Sequence, residues 1–304
     1  MKILIIGAGG IGGLLAAKLA KAHKDVALID QGKHLEAIQN DGLTLISPSE
    51  TRTYKLSAYD SDSYVDKPDV IFISTKAYSL DPVITFLKKD AFKDALIIPL
   101  LNPIGAAEEI SQALGEDFEV LDGVAYALSS KLRPGVILQD TDNFRIVAGF
   151  MREAGVPYEK LIALNDELRD TDINFEITKD AKAAHFKKFT VVSPFAAVTS
   201  YLSVDAAPMQ VPGEQRELYK ALTNEVIEIG RALGFPLQDA SVQRNLERLD
   251  MYAPTSNASM ARDILAKRDS ELDGLIFSVV RLGRKLGVAT PNYEKVAKRF
   301  GFEA

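Results

Sequence analysis

Lys2-Ile3-Leu4-Ile5-Ile6-Gly7-Ala8-Gly9-Gly10-Ile11-Gly12-Gly13 follows the first methionine and decides the fold. Lys2 to Ile6 is a short, unbroken apolar run, the pattern of a parallel strand covered on both faces. Glycines follow at once. Residues 11–23 then carry Leu14, Leu15, Leu19 and Ala22 as the apolar stripe of a helix. Gly7, Gly9 and Gly12 fit G-x-G-x-x-G between a strand and a helix, the context that makes this spacing informative. Gly7 permits the tight turn, Gly9 lets the backbone approach a pyrophosphate, and Gly12 lets helix and strand pack closely. With Ala8, Gly10 and Ile11, the loop presents N–H groups and the positive end of a helix dipole to phosphates. A second strand at 25–29 ends at Asp30, placed to accept hydrogen bonds from the adenine ribose hydroxyls. These residues predict a domain that binds NAD or NADP.

Outward from this unit, apolar runs at 69–73 and 96–101 predict further strands, with weaker signals at 119–127, 135–139 and 144–148. Residues 34–40, 79–89 and 105–114 read as helices, and 43–46 with 53–56 as a hairpin. Alternation of strand and helix predicts a parallel α/β sheet with helices on both faces. From Lys179 the pattern changes: 179–202, 214–233, 238–249, 257–266, 270–286 and 291–300 all read as helical, separated by prolines and polar residues. The predicted domains are 1–176 and 177–304, joined behind the polar stretch Arg169-Asp170-Thr171-Asp172.

Composition narrows the chemistry. The 304 residues contain no cysteine, which excludes disulfides, thiol nucleophiles and cysteine-held metals. His23, His34 and His185 are the three histidines, and no two have the spacing of a metal pair. A net charge of −6 argues against a nucleic-acid partner or an anionic membrane surface. No apolar run is long enough to span a bilayer, and the run at 3–6 is too short for a secretory signal. A cytoplasmic protein with a small-molecule substrate is expected, and a homodimer is left open.

Several spaced motifs then resemble the ketopantoate reductase (2-dehydropantoate 2-reductase) family along nearly the whole chain. They are the glycine loop, Gly32 to Ile38, Thr75-Lys76-Ala77-Tyr78, Leu101-Asn102-Pro103-Ile104-Gly105, Lys188, Ser259-Met260 with Asp263, Ser270-Glu271-Leu272-Asp273, and Gly287 to Asn292. The resemblance implies a Rossmann domain followed by an all-α domain of the 6-phosphogluconate dehydrogenase C-terminal type. It implies reduction of ketopantoate or a similar 2-oxo acid by NADPH or NADH, in the setting of pantothenate biosynthesis. Hydride reaching the carbonyl carbon leaves an alkoxide that needs a proton. The resemblance assigns that donation to Lys188, whose ammonium Glu271 would hold. Asn102 would bond the nicotinamide or substrate, Lys76 would sit at the cofactor and substrate edge, and Ser259 would bind the substrate carboxylate.

Spacing alone gives plainer readings. Lys188 shares a lysine-rich segment with Lys179, Lys182 and Lys187, as a solvated helix face would. Glu271 near a helix start complements the dipole. Asn102 is a loop residue, Ser259 a helix cap, His185 a helix-surface residue, and Tyr126 and Tyr201 packing residues. The chain also departs from the family pattern. Val192 and Ala196 stand where asparagines are usual, four and eight positions after Lys188, and Pro103 replaces a glycine. Asp30-Gln31 lacks the arginine that usually meets the 2′-phosphate, which favours NAD, with Lys33 and His34 the remaining groups near that position. Two further readings follow: an NAD-dependent D-2-hydroxyacid dehydrogenase for branched or aromatic substrates, and a non-catalytic NAD(P)-binding redox sensor.

Overall fold

The computed structural model describes residues 1–150 and 158–303. They form two compact units: Met1–Leu101 with Gly105–Lys182, and Asn102–Ile104 with Ala183–Ala304. The chain runs β1 (Lys2–Ile6), α1 (Gly10–Lys21), β2 (Asp25–Ile29), α2 (Gly32–Asp41), β3 (Leu43–Ile46), β4 (Thr51–Tyr54), β5 (Ser57–Tyr59) and β6 (Val70–Ile73). It continues with α3 (Leu80–Leu87), β7 (Leu96–Pro99), α4 (Ala106–Leu114), β8 (Glu119–Tyr126), β9 (Ser129–Arg133), β10 (Val136–Gln139), β11 (Arg145–Phe150), α5 (Tyr158–Glu167) and β12 (Asn174–Ile177).

The first unit holds an eight-stranded sheet in the order β12-β11-β8-β7-β6-β1-β2-β5. β1 pairs in parallel with β2 on one side and β6 on the other. The order therefore reverses at β1, and the glycine loop leaves its carboxyl end, where ligands bind in open α/β sheets. Alternate residues of β1 supply two cores: Ile3 and Ile5 pack with Leu14 and Leu15 of α1, while Leu4 and Ile6 pack with the α3 residues Val83 and Ile84. This double burial is why the strand reads as an unbroken apolar run. The sheet is not wholly parallel. β8 and β11 are antiparallel, because the chain between them makes only β9 and β10 and no crossover helix. A second sheet, β4-β3-β10-β9, packs against α1, and Ile137 lies so close to Gly13 that a Cβ there would sit 2.6 Å from its side chain. β12 pairs in parallel with β11 through the segment expected to separate the domains.

Helices are the regular elements of the second unit among its described residues: α6 (Ala181–Leu202), α7 (Glu214–Ala232), α8 (Ala240–Asp250), α9 (Ser259–Leu265), α10 (Ser278–Leu286) and α11 (Pro291–Arg299). One turn of π-helix, Asp273–Phe277, runs directly into α10. The core gathers Phe186 and Phe189 of α6, Tyr219 and Leu222 of α7, Leu249 of α8 and Val296 of α11. Glu225 is buried on α7, yet its carboxylate accepts bonds from the backbone N–H groups of Asn292 and Tyr293. It thereby caps the first turn of α11, where the helix dipole favours a negative charge. No helix among the described residues is long and apolar enough to cross a membrane.

Candidate active site

In the first unit the glycine loop has the geometry its spacing predicts. Gly7 has φ +92°, a left-handed conformation that suits glycine. A Cβ at Gly12 would overlap the Gly7 carbonyl oxygen and the Ser74 hydroxyl. At Gly9 a Cβ would meet nothing within 4 Å, so the loop is open to an approaching group there. Gly9 is the N-cap of α1 and has no side chain, so it gives the first-turn N–H groups at Gly10, Ile11 and Gly12 no side-chain cap. This uncapped, open helix start fits a dinucleotide pyrophosphate.

Three side chains brace the loop. Ser74, at the end of β6, donates to the Gly7 carbonyl at 2.8 Å. Asp30 accepts from Ala8 N–H at 2.6 Å through Oδ2 and from Gln31 N–H at 2.8 Å through Oδ1. Each carboxylate oxygen accepts more than one bond, so ribose hydroxyls still find acceptors. His34 corrects the sequence reading that left it near a phosphate. It is buried, its Nδ1 accepts from Gly135 N–H at 2.9 Å, and its Nε2 donates to the Ala8 carbonyl at 2.7 Å. Both ring nitrogens are thus occupied in clipping the loop to the second sheet. Lys33 is exposed, and Lys76 precedes a 3-10 turn at Ala77–Ser79. Sequence reasoning missed Ser74 and His34 as braces, because each acts on a residue distant in the chain.

The second unit brings together Lys188, Asn102 and Glu271. Lys188 Nζ donates to Asn102 Oδ1 at 2.9 Å. One turn earlier on the same face of α6, His185 Nε2 donates to the Asn102 backbone carbonyl at 3.2 Å. His185 is buried, not on the helix surface as its spacing suggested. Asn102, with Pro103 and Ile104, packs as part of this unit although its sequence neighbours belong to the other. With Oδ1 facing the ammonium, the Asn102 amide nitrogen is left as a donor. Glu271 is 3% exposed, and its carboxylate is the charge acting on Lys188. Burial pulls the Lys188 pKa down, Glu271 pulls it back up, and the balance lies at about 8. Ser259 is the first residue of α9, with Ala258 as the cap, so Ser259 is not the cap itself. Val192 is half-buried against the helical core, and Ala196 lies inside it at 1% exposure.

Comparisons with known proteins agree with this architecture. Residues 3–153 match the family described as Ketopantoate reductase PanE/ApbA, and residues 180–301 match its C-terminal domain. The uncharacterized oxidoreductase YkpB of Bacillus subtilis is 25% identical over 97% of this chain and 96% of its own length. A 2-dehydropantoate 2-reductase of Mesorhizobium japonicum is 26% identical over 97% of this chain and 95% of its own. A PanE/ApbA family ketopantoate reductase from Ralstonia eutropha superposes with a TM-score of 0.86 at 23% identity, covering 98% of this chain and 97% of that one. D-mandelate dehydrogenase, solved with NADH and anilino(oxo)acetate, also gives 0.86 at 22% identity, covering 98% and 96%. Two matched domains spanning most of the sequence place it: the chain belongs to the ketopantoate reductase family of oxidoreductases.

Proposed function

We propose that this protein reduces a 2-oxo acid to the 2-hydroxy acid with a nicotinamide dinucleotide, and that Lys188 is the proton donor. The observation that carries this reading is the Lys188 ammonium, held at 2.9 Å by Asn102 Oδ1 beside buried Glu271, with a pKa of about 8. A general acid works best when its pKa lies near the operating pH. Bound, the nicotinamide supplies the hydride that reaches the substrate carbonyl carbon. Lys188 meets the oxygen on which negative charge develops, stabilises it and passes it a proton. Glu271 keeps the ammonium charged, and the free Asn102 amide donor orients the reacting groups. Ser259 serves as the anchor of the substrate carboxylate, and Lys76 lies at the cofactor and substrate edge. Gly7, Ala8, Gly9, Gly10, Ile11 and Gly12 bind the pyrophosphate and Asp30 the ribose.

Ketopantoate is one substrate of this class. A specific observation favours a second reading, a D-2-hydroxyacid dehydrogenase for branched or aromatic substrates: half-buried Val192, one turn beyond Lys188 on α6, presents no amide where a substrate hydroxyl would want one, while Ala196 is sealed in the helical core and takes no part in that choice. Asp30 supports NAD over NADP in either case. A homodimer belongs to the proposal, since a Staphylococcus aureus ketopantoate reductase 21% identical to this chain is described as dimeric. The deciding experiment follows NADH and NADPH oxidation with ketopantoate, 2-oxoisovalerate and phenylglyoxylate. Turnover of any of them supports the reading. Cofactor binding with no oxidation by a 2-oxo acid would replace it with the redox-sensor alternative.

A further inference from the structure

The second unit contains a buried polar chain to which the proposed reaction gives no role. Ser193 lies on α6, 0% exposed, five positions after Lys188. Its hydroxyl donates to the Leu275 carbonyl at 2.6 Å. A serine has one proton to give, so the Tyr293 hydroxyl, 2.6 Å away, donates to Ser193 Oγ. Tyr293 is fully buried on α11. Leu275 sits inside the π turn Asp273–Phe277, which begins two residues after Glu271. A π turn displaces carbonyls from the ordinary helical ladder, and such turns concentrate at functional sites. Here two carbonyls of the turn accept from hydroxyls: Gly274 from Ser278 at 2.6 Å, and Leu275 from Ser193.

The same turn packs on Pro103, the residue that follows Asn102 of the cluster. A Cβ at Gly274 would sit 2.5 Å from Pro103 Cγ, so only glycine lets the turn pack this closely on the residue after Asn102. On the other side, Pro194 removes the N–H that would bond the Thr190 carbonyl in an unbroken helix. Asn245 of α8 fills that gap, donating to Thr190 O at 3.1 Å and to Thr190 Oγ1 at 3.0 Å. The α6 ladder therefore lacks one bond beside Ser193, and the freed Thr190 carbonyl is held by a side chain from α8.

We infer that the π turn at Asp273–Phe277 is the piece that sets Lys188, Asn102 and Glu271 in register, and that Ser193 and Tyr293 are positioning residues that lock α6 to it. The inference rests on the proposed role of Lys188, but one readout does not depend on turnover. Among the groups facing the Lys188 ammonium are Asn102 Oδ1 and the Glu271 carboxylate, with His185 one turn away. If α6 loosens from the turn, the ammonium moves away from Glu271 while burial persists, so its titration midpoint falls.

The test maps the pH dependence of Lys188 acetylation by mass spectrometry in the parent, Ser193→Ala, Ser193→Thr, Tyr293→Phe and Thr223→Ala. Thr223 is a buried hydroxyl of the same unit that bonds its own helix at Tyr219 O, and it serves as the control. Ser193→Ala is expected to lower the Lys188 midpoint by about half a pH unit or more, with Tyr293→Phe smaller in the same direction. Ser193→Thr, which keeps the hydroxyl, restores the parent midpoint, and Thr223→Ala leaves it unchanged. In turnover with the best 2-oxo acid, kcat of Ser193→Ala falls roughly tenfold to a hundredfold while KM changes little, as expected for misplacement of a reacting group. Unchanged midpoints in both Ser193→Ala and Tyr293→Phe overturn the inference, as does an equal change in Thr223→Ala. If Ser193→Ala does not fold, Tyr293→Phe decides. A parent that reduces no 2-oxo acid sinks the proposed function, while the acetylation midpoints still judge the lock.

Discussion

The glycine loop and the Lys188 cluster handle charge in opposite ways. Around the loop, recognition is built from backbone: uncapped N–H groups at the start of α1 and carbonyls tied down by Ser74 and His34. The one carboxylate there, Asp30, is partly open to solvent and already bonded to two backbone N–H groups. Around Lys188, recognition is built from side chains, and the charge is withdrawn from water until its pKa falls to about 8. The loop should therefore tolerate changes in its bracing side chains better than any added Cβ. The Lys188 cluster should be highly sensitive to the loss of single functional groups.

The largest effect is expected where a single group carries the chemistry. Lys188→Ala should lower turnover by roughly 10²–10⁴-fold, the usual range for loss of general acid–base help. Cofactor affinity should stay within a few-fold of the parent, because the loop binds through backbone. The chain has no tryptophan, so affinity is read from the reduced cofactor's own fluorescence. A Lys188→Ala enzyme that turns over at the parent's rate, or that loses the cofactor, would erase the contrast between the two regions.

Next comes cofactor choice, which asks how much a side chain decides within the backbone-built region. A 2′-phosphate beside Asp30 places like charges together. At ~4 Å this costs on the order of 4 kcal/mol at an effective dielectric of ~20, and solvent reduces it. With His34 buried and both its nitrogens occupied, Lys33 is the cation left to offset the repulsion. NADH should bind about 10²-fold tighter than NADPH, a difference of about 2.7 kcal/mol. Asp30→Ser should narrow the ratio. Tighter binding of NADPH by the parent would show that the loop's surroundings outweigh Asp30.

The two regions also differ in how far they could be read from residues alone. The loop was legible because strand, turn, helix, strand and acid lie within about thirty consecutive residues and each leaves a local signature. The braces were not, since His34 acts through Gly135 and Ser74 through Gly7, pairings that only the sheet order creates. In the second unit the helices followed from periodicity and proline punctuation. Lys188, in contrast, looked like one of several surface lysines until the family resemblance singled it out. Its partner Asn102 lies 86 positions away and packs with a unit other than that of its chain neighbours. His185 was read as a surface residue because nothing local records that Asn102 covers it. The boundary at 176/177 falls within Asn174–Ile177, an edge strand whose alternating exposure gives only a weak apolar signal.

Glu271→Gln sharpens the electrostatic side of the comparison. On the proposed mechanism Lys188 must be protonated for reduction, so kcat should fall as pH rises through about 8. Glu271 raises the Lys188 pKa against burial, so its neutral replacement lowers that pKa further. The alkaline limb should move to lower pH, and above the midpoint each pH unit by which it moves should cost about tenfold in kcat. A limb that stays in place would mean that Glu271 does not set the charge state. A limb that moves upward would mean that Glu271 acts on Lys188 in the opposite direction.

The smallest expected effect lies on the substrate side of α6. Val192 is one turn beyond Lys188 on the same helix face and half-buried. Ala196, a further turn on, is sealed inside the helical core, so an asparagine there would be a packing defect and not a new contact. Val192 is therefore the position at which an amide could be restored without disturbing the core. A site that hydrogen-bonds a substrate hydroxyl discriminates strongly against analogues that lack it, whereas an apolar site barely rejects an added hydroxyl. The parent should accept ketopantoate and 2-oxoisovalerate with kcat/KM values within about tenfold of each other. Val192→Asn should move the ratio toward ketopantoate by a few-fold, about 1 kcal/mol for one partly exposed hydrogen bond. The alkaline limb should not move, because Lys188 and Glu271 are untouched. If the parent already prefers ketopantoate strongly, other polar groups of the second unit supply the missing contact, and the apolar face at Val192 does not define the substrate. If Val192→Asn moves the alkaline limb instead, this helix face acts on Lys188, and specificity and proton donation are not separable in this unit.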